Sequence, residues 1–387
     1  MAIKLRTLAS SNTPGGISIG EKFRDMSWLL VLLVTAIAGI GFAMLYSAAN
    51  ASVDPWMSRQ LVRFCGGLVI MFVVALIDIR FWMRHAYAIY LAAFVLLVYV
   101  EFAGEVGMGA QRWIDLKFFQ LQPSEIMKVS MVLALARYFH SLDFDRIGRP
   151  LPLIPPLAMI LAPAGLVLVQ PDLGTAGMLI LVGGALFFAA GVRIWKFALA
   201  AAAALAAIPI AWQFLRDYQR NRVLTFLDPE SDPLGAGYHI LQSKIAFGSG
   251  GVFGKGFLMG TQSHLSFLPE RQTDFIFTML AEEFGLFGGL CLLGLYALVF
   301  VYGYAIAFKA RNHFGRLLAI GITTNLFVYV FINAAMVMGL IPVVGIPMPL
   351  ISYGGTAMIT VLIGIGLLMS VHIHRDVRIG QRGYGED

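Results

Sequence analysis

Charge is scarce in this chain. Only 13% of its 387 residues are Asp, Glu, Lys or Arg, while 59% are hydrophobic. The mean hydropathy is +0.79, so an ordinary soluble core cannot absorb the apolar surface and the chain is read as a membrane protein. Cysteine is scarcer still: the two present, Cys65 and Cys291, fall in apolar runs, which argues against a disulfide framework. The seven histidines show no ligand spacing, so no dedicated metal site is expected. Strands alternating every second residue are missing, which argues against a membrane barrel. Pro152, Pro163, Pro209 and Pro342 instead suit buried helices whose neighbours satisfy the freed carbonyls. No basic stretch is interleaved with aromatics, so the net charge of +6 fits anionic lipid and not nucleic acid. The first 27 residues are polar and the apolar run after them outlasts a signal-peptide core, so the "ANA" at Ala49–Ala51 is not read as a cleavage site.

What is present reads as an all-α polytopic membrane protein. A bilayer core about 30 Å thick needs about 20 apolar residues per helix. Ten runs qualify, at about residues 28–47, 61–77, 86–102, 122–139, 152–170, 173–192, 197–214, 275–308, 317–340 and 352–371. With a cytoplasmic N-terminus, Lys22 and Arg24, Arg80 and Arg84, Arg146 and Arg149, Arg193 and Lys196, Lys309, Arg311 and Arg316, and Arg375, Arg378 and Arg382 all fall on the inner face. That is the positive-inside pattern. The chain then divides into a cytoplasmic tail over 1–27, seven helices over 28–214, a large extracytoplasmic loop over 215–274, three helices over 275–371 and a cytoplasmic tail over 372–387.

The long loop is the only outer connection large enough to hold its own structure. In it, "YHILQSKIAFGS" sets Ile240, Leu241 and Ile245 on one face of a short interfacial helix. The glycine-dense turn "GSGGVFGKG", Gly248–Gly256, follows. A Walker loop would need Gly at 249 and Ser or Thr at 256, where Ser249 and Gly256 stand. Its backbone N–H groups, with Lys244 and Lys255 nearby, still suit an anion. No internal repeat of the inverted-transporter kind is visible.

Ionisable side chains in or beside apolar runs cost about 2.5–3.5 kcal/mol each and are functional candidates by default. In "GAQRWIDLKFFQLQPSEIMK", Glu125 and Lys128 share one helical face and pair either as a structural bridge or as part of a site. Trp113 fits an aromatic belt or a site, and Arg112 fits a phosphate or lipid headgroups. Asp172 in "QPDLGT" and Ser352 in "PLISYGGT" read as helix caps, with access to a central cavity as the alternative for Asp172. In "FLPERQTDFIFTMLAEEFG", Asp274 stands where the loop enters the eighth helix, at the rim of a cavity. Capping by Thr273 or Asp274 is the structural reading, and it leaves Glu270, Arg271, Glu282 and Glu283 unexplained.

Together "GAQRWI", "QPSEIMK", "QPDLGT", "RVLTFLDPESDPLGAGYHILQSKIAFGSGG", "GTQSHLSFLPERQTDFIF" and "PLISYGGT" resemble the SEDS (shape, elongation, division, sporulation) family, over about residues 28–375. The resemblance is greatest to its elongation branch. The division branch usually reads "LPEAHTDF" where Arg271 follows Glu270 here, and Gln272 replaces the commoner His. The resemblance implies a peptidoglycan glycosyltransferase of the bacterial cytoplasmic (inner) membrane, with ten helices and both termini cytoplasmic, polymerising lipid II at the outer face. It implies a class B penicillin-binding protein transpeptidase and other elongation-complex membrane proteins as partners. The family's essential aspartate falls on Asp274, its tryptophan before the fourth helix on Trp113, and its helix-four acid and lysine on Glu125 and Lys128.

The chemistry so implied transfers the glycan from a polyprenyl pyrophosphate to the 4-hydroxyl of a GlcNAc, α linkage to β. A single displacement gives that inversion, with Asp274 as general base. Desolvation would raise the pKa of Asp274 and Arg271 would lower it. Arg222, Lys244, Lys255 and Lys128 are the cations for the leaving pyrophosphate. Arg112, Trp113, Glu125, Asp172, Glu270, Arg271, Thr273 and Ser352 complete the substrate site. A divalent cation, Mg or Mn, would assist without a dedicated ligand set. The competing readings are a lipid II flippase, a division-type relative, and a scaffold that recruits a crosslinking enzyme. A flippase needs charges along a path to both faces, whereas these collect at the outer end.

Overall fold

The computed structural model describes residues 18–107, 110–115, 120–214, 217–229, 236–264, 270–377 and 379–380. Of the expected tails, residues 1–17, 378 and 381–387 lie outside these. A short α1 (Ile19–Arg24) leads into α2 (Trp28–Ala48), α3 (Trp56–Leu76) and α4 (Ile79–Ala103). An antiparallel sheet of β1 (Glu105–Gly107), β2 (Ala110–Asp115) and β3 (Gln120–Leu121) follows. Next come α5 (Pro123–His140), α6 (Phe144–Ile147), α7 (Ile154–Val169), α8 (Leu173–Ala189) and α9 (Ile194–Phe214). The region expected as the large loop holds α10 (Asp217–Leu227), α11 (Ala236–Ser249) and α12 (Thr261–His264). The chain closes with α13 (Ile276–Lys309), α14 (His313–Val337) and α15 (Gly355–Ile373).

The all-α reading holds apart from the small sheet. Its strands are two to six residues long, too short for alternation to register. Seven helices are long and apolar enough to cross a membrane: α2, α3, α4, the Leu151–Val169 stretch containing α7, α13, α14 and α15. α8 and the Ile194–Pro209 part of α9 are shorter apolar helices. α5 carries Glu125, Lys128 and Arg137, yet all but three of its residues are buried, because α4, α8, α14 and α15 sheathe it. Within their apolar stretches α14 and α15 are 78% buried, against 22% for α4, so α5, α14 and α15 form the centre. α9 is the opposite case. Residues 198–209 are exposed, as a lipid-facing helix standing off the bundle would be.

Basic side chains gather at one end, the tail end. Lys22 Nζ donates to the Leu76 carbonyl at 2.9 Å, Arg137 to that of Arg84 at 2.7 Å, and Lys196 to that of Gly148 at 3.1 Å. Arg311 N donates to the Arg375 carbonyl at 3.0 Å. Residue 380 joins this end through the contact between His140 Nε2 and the Gly380 carbonyl at 3.2 Å.

α13 is not one rod. Gly285 (φ 67°, ψ −162°) breaks it, in a conformation open essentially to glycine alone. In a straight helix Phe277 and Gly289 would stand about 18 Å apart. Here the Phe277 ring lies 3.7 Å from where a Cβ on Gly289 would be. The first limb, 276–284, therefore doubles back against the second, 286–309. The freed backbone groups are satisfied by the glycine-dense turn: Lys255 N and Gly256 N donate to the carbonyls of Glu282 and Glu283, and Leu286 N and Phe287 N donate to those of Gly251 and Val252, all at 3.0 Å. A Cβ on Gly254 would collide with the Glu283 carbonyl. That turn is thus a backbone splint for a broken helix, with the N–H groups of residues 250, 251, 254, 255 and 256 spent on protein carbonyls.

Candidate active site

Asp274 stands in a tight turn, residues 270–275, that feeds the first limb of α13. Glu270 opens it at φ 54°, a left-handed conformation that a constrained segment imposes on a non-glycine residue. The Thr273 hydroxyl closes it, donating to the Glu270 carbonyl at 3.2 Å and its carboxylate at 3.0 Å. The N-cap position of α13 is Phe275, whose side chain makes no cap hydrogen bond, one residue past the Thr273–Asp274 position expected.

A second turn faces the first, with Leu350 also left-handed at φ 65°. Ser352 does not cap α15, which begins at Gly355 behind Gly354. Instead Ser352 Oγ donates to the Thr273 carbonyl at 2.6 Å and accepts from Met348 N at 2.7 Å. Tyr353 N donates to the Gln272 carbonyl at 2.8 Å. Gln60 of α3 braces this turn through the Ser352 carbonyl at 2.9 Å. From α14, Asn333 Nδ2 donates to the carbonyls of Asp274 at 2.9 Å and Ile346 at 2.7 Å.

These turns lie below the end of the bundle. Gly41 of α2 is wedged against Leu350 and Ile351, and it precedes the last residue of α2, Ala48, by a length of helix corresponding to about 10 Å. Asp274, half-buried, is bound through its carbonyl to Asn333, which precedes the last residue of α14, Val337, by a length of helix corresponding to about 6 Å.

One turn further in, about 6 Å along α14, Tyr329 meets the Glu125–Lys128 pair. Lys128 Nζ lies 2.7 Å from Glu125 Oε1, with side-chain exposures of only 2% and 4%. Lys128 also donates to Tyr329 Oη and sits 3.9 Å over its ring, and Tyr329 Oη donates to Glu125 Oε2. Thr360 of α15 lies 3.5 Å from the same oxygen. Each charge meets a complement, as burial so far from water requires.

Asp172 caps α8, accepting from Thr175 N at 3.0 Å and Thr175 Oγ1 at 2.9 Å. Arg112 Nη1 lies 3.7 Å from it while Nε and Nη2 donate to the carbonyls of Gln170 and Pro171. Arg112 therefore ties β2 to the α7–α8 turn. Beside it Trp113 is half-buried and pairs in register with Glu105 of β1. The first turn of α8 borders the recess: a Cβ on Gly174 would lie 3.0 Å from Ile346.

The remaining cations divide. Lys255 is committed to Glu282, 2.8 Å away and fully buried, and to Thr261 at 2.7 Å. Lys244 is exposed on α11, against Gly339 at the end of α14. Its neighbour Ser243 anchors α11 to Thr278 at 2.9 Å and to the Val337 carbonyl at 2.7 Å. Hence α11 packs by Ser243 and Ala246, and the expected apolar face is turned out at Ile245, which is exposed. Burial holds the half-buried Arg271 below the usual guanidinium pKa. Arg222 falls on α10 with its side chain outside the described residues. Glu283 accepts from Ser47 of α2 and contacts His264 Nε2 at 3.3 Å. The acidic pair 282–283 thus secures the corner of α13.

The structure so brings Glu270, Thr273, Asp274 and Ser352 into one layer and Glu125 with Lys128 into the layer beneath, and places Lys255 at the corner of α13. Sequence reasoning missed Asn333, Tyr329, Tyr353 and Gln60. For Asn333, Tyr329 and Gln60 the signal available was a neutral polar side chain on the inward face of an apolar helix.

The profile of the family described as a cell cycle protein, FTSW_RODA_SPOVE, matches residues 27–377. The chain is 47% identical over 358 residues to the peptidoglycan glycosyltransferase MrdB of Escherichia coli K12, covering 91% of this chain and 94% of that one. It is 32% identical over 425 residues to the peptidoglycan glycosyltransferase RodA of Treponema pallidum, covering 90% and 98%. Among solved structures it is similar to the rod shape determining protein RodA of Thermus thermophilus, with TM-score 0.69, 30% identity and coverage of 91% and 98%. It also matches a chain from a structure described as "structural coordination of polymerization and crosslinking by a peptidoglycan synthase complex", with TM-score 0.77, 35% identity and coverage of 90% and 98%. A recessed carboxylate, a sealed acid–lysine pair and a match along nearly the whole length lead to one conclusion: the chain belongs to the FtsW/RodA/SpoVE family of multi-pass membrane proteins.

Proposed function

We propose that this protein is a peptidoglycan glycosyltransferase of the elongation type that polymerises lipid II, with Asp274 as its general base. The observation that carries the reading is the recess itself. One carboxylate is held through its backbone by α14, within a turn clamped by the Met348–Tyr353 segment, one helical turn above a sealed acid–lysine–tyrosine cluster. The relatives' names, peptidoglycan glycosyltransferases, support it.

The donor glycan is joined through an α linkage to pyrophosphate, and the product is β, so one in-line displacement suffices. Asp274 accepts the proton of the attacking 4-hydroxyl as the glycosidic bond to pyrophosphate breaks, the electron pair leaving on a phosphate oxygen. That leaving group needs charge stabilisation more than a proton. Lys244, exposed against Gly339 at the end of α14, serves it first, with Arg271 and Arg222. Lys128 and Lys255 are already neutralised by Glu125 and Glu282 and act in the scaffold. Among the described residues no group of three or more His, Cys, Asp or Glu is placed to hold a metal. An Mg or Mn ion would arrive with the pyrophosphate and would offset its charge.

In this reading the tail end, rich in Lys and Arg, is cytoplasmic, the recess is extracytoplasmic, and ten crossings span the bacterial cytoplasmic membrane. Polyprenyl tails lie in lateral grooves between the spans, so that two sugars meet oriented at the outer end of the bundle. A class B penicillin-binding protein transpeptidase is the proposed partner, with other elongation-complex membrane proteins. The described coupling of polymerization and crosslinking in the similar complex supports it. Proteoliposomes loaded with lipid II test the reading: glycan polymer on a gel supports the enzyme, and lipid translocation without polymer supports the flippase instead.

A further inference from the structure

Asn333 is fully buried on α14 and makes two hydrogen bonds, both through Nδ2, to the carbonyls of Asp274 at 2.9 Å and Ile346 at 2.7 Å. The amide orientation is therefore fixed, since a flip would set its oxygen against two carbonyl oxygens. Oδ1 accepts no hydrogen bond from the described residues. A position needed only for packing would be better filled by leucine, because a buried acceptor without a donor is a standing cost. The two donors are what the amide supplies.

What those donors hold is specific. The Asp274 carbonyl belongs to the residue that carries the carboxylate, so displacing it displaces the side chain. The Ile346 carbonyl belongs to the opposite wall, where a Cβ on Gly345 would lie 3.3 Å from Asp274 Oδ2. Ser352 and Tyr353 hold the two preceding residues, Thr273 and Gln272. Asn333 alone among these anchors binds Asp274 and the facing loop with one group.

We infer that Asn333 is a positioning residue for Asp274: it sets the height of the carboxylate in the recess, and hence its reach to the attacking sugar hydroxyl. The inference rests on the reading of Asp274 as general base. Asn333 contacts neither sugar nor pyrophosphate and acts through Asp274. Reacting groups must be held about 3–3.5 Å apart, and a misplacement of about 1 Å can cost about 100-fold in rate.

The test uses the full-length chain in proteoliposomes with lipid II. Asn333→Leu keeps the volume and removes both donors. The expected result is a kcat lower by about 10–100-fold, with KM for lipid II nearly unchanged. Asn333→Asp is the second variant, decisive if Asn333→Leu fails to fold. Its carboxyl regains a donor only when protonated, so its rate relative to wild type at each pH is expected to recover as pH falls. An Asn333→Leu kcat equal to wild type, a raised KM with unchanged kcat, or an Asn333→Asp ratio flat with pH overturns the inference. Asp274→Asn separates the two claims. If it is inactive while Asn333→Leu is fully active, the positioning role alone fails. If Asp274→Asn is fully active, the base assignment and the positioning role fail together.

Discussion

Lys128 is among the largest fully buried side chains of the described residues, and its ammonium is hydrogen-bonded to Glu125 and Tyr329. Removing one member strands the other charge, at a cost of about 3–5 kcal/mol, whereas removing both together often costs little. Lys128→Met is therefore expected to lower the thermal midpoint in detergent sharply. The double change Glu125→Gln with Lys128→Met is expected to restore most of it. An unaltered midpoint in the single variant would show that the pair is not sealed as described. Lys244 should behave differently, being exposed. Lys244→Ala is expected to leave the midpoint alone and to weaken catalysis by about 10–100-fold, the worth of a charged hydrogen bond of about 1.5–3 kcal/mol, measured as kcat/KM on lipid II. Wild-type kinetics would exclude it from the site. Asp274, Glu125 and Lys128 were legible in the sequence because a charge in an apolar run has no packing reason to be there. Asn333 and Tyr329 were not, since neutral side chains on a central helix look like core. The pairing of Lys255 was not legible for a related reason: Glu282 lies far from it in sequence and meets it only when α13 folds back.

The doubled-back α13 is the element on which the recess depends. Its two limbs read as one apolar run of helix, because composition carries no record of a reversal and only Gly285 hints at one. The turn "GSGGVFGKG" was legible as a turn, but its partner was not. Gly285→Ala tests the device. The substitution forces a side chain into a left-handed break, and its Cβ would clash with Gly254 N and with the Val252 carbonyl. A loss of about 1–3 kcal/mol is expected, read from thermal unfolding, and an unchanged midpoint would contradict the splint. At the tail end, His374 lies 3.9 Å from Asp78. Burial, its largest influence, lowers its pKa below the usual 6.5, opposed by the Ser370 carbonyl and Asp78 and reinforced by Lys22 and Arg80. The unfolded chain then binds the proton more readily than the folded one, so stability is full above about pH 6.5 and falls as pH drops below it. His374→Gln is expected to reduce that acid-side loss in midpoints measured between about pH 5 and 7.5. An identical slope would remove His374 from the account.

At the scale of the whole molecule, most of the expected spans fall within a few residues of helices, because a bilayer's thickness dictates run length. α5 qualified by pattern, but its burial inside a sheath of other helices could not be read from its own residues. The charge asymmetry between the two ends was legible without any structure, and it sets the orientation proposed here. With Cys65 and Cys291 replaced by Ser, a single cysteine at exposed Ser52 should react with an impermeant maleimide in right-side-out vesicles. One at exposed Asp376 should react only after permeabilisation. The reverse pattern would put the recess on the wrong side for lipid II. The central claim, that a recessed carboxylate takes the proton from a sugar hydroxyl, is tested most directly by the turnover of Asp274→Asn, which preserves shape and removes the base. The account predicts a kcat lower by about 10²–10⁴-fold with lipid II still bound, and turnover at the wild-type rate would contradict it.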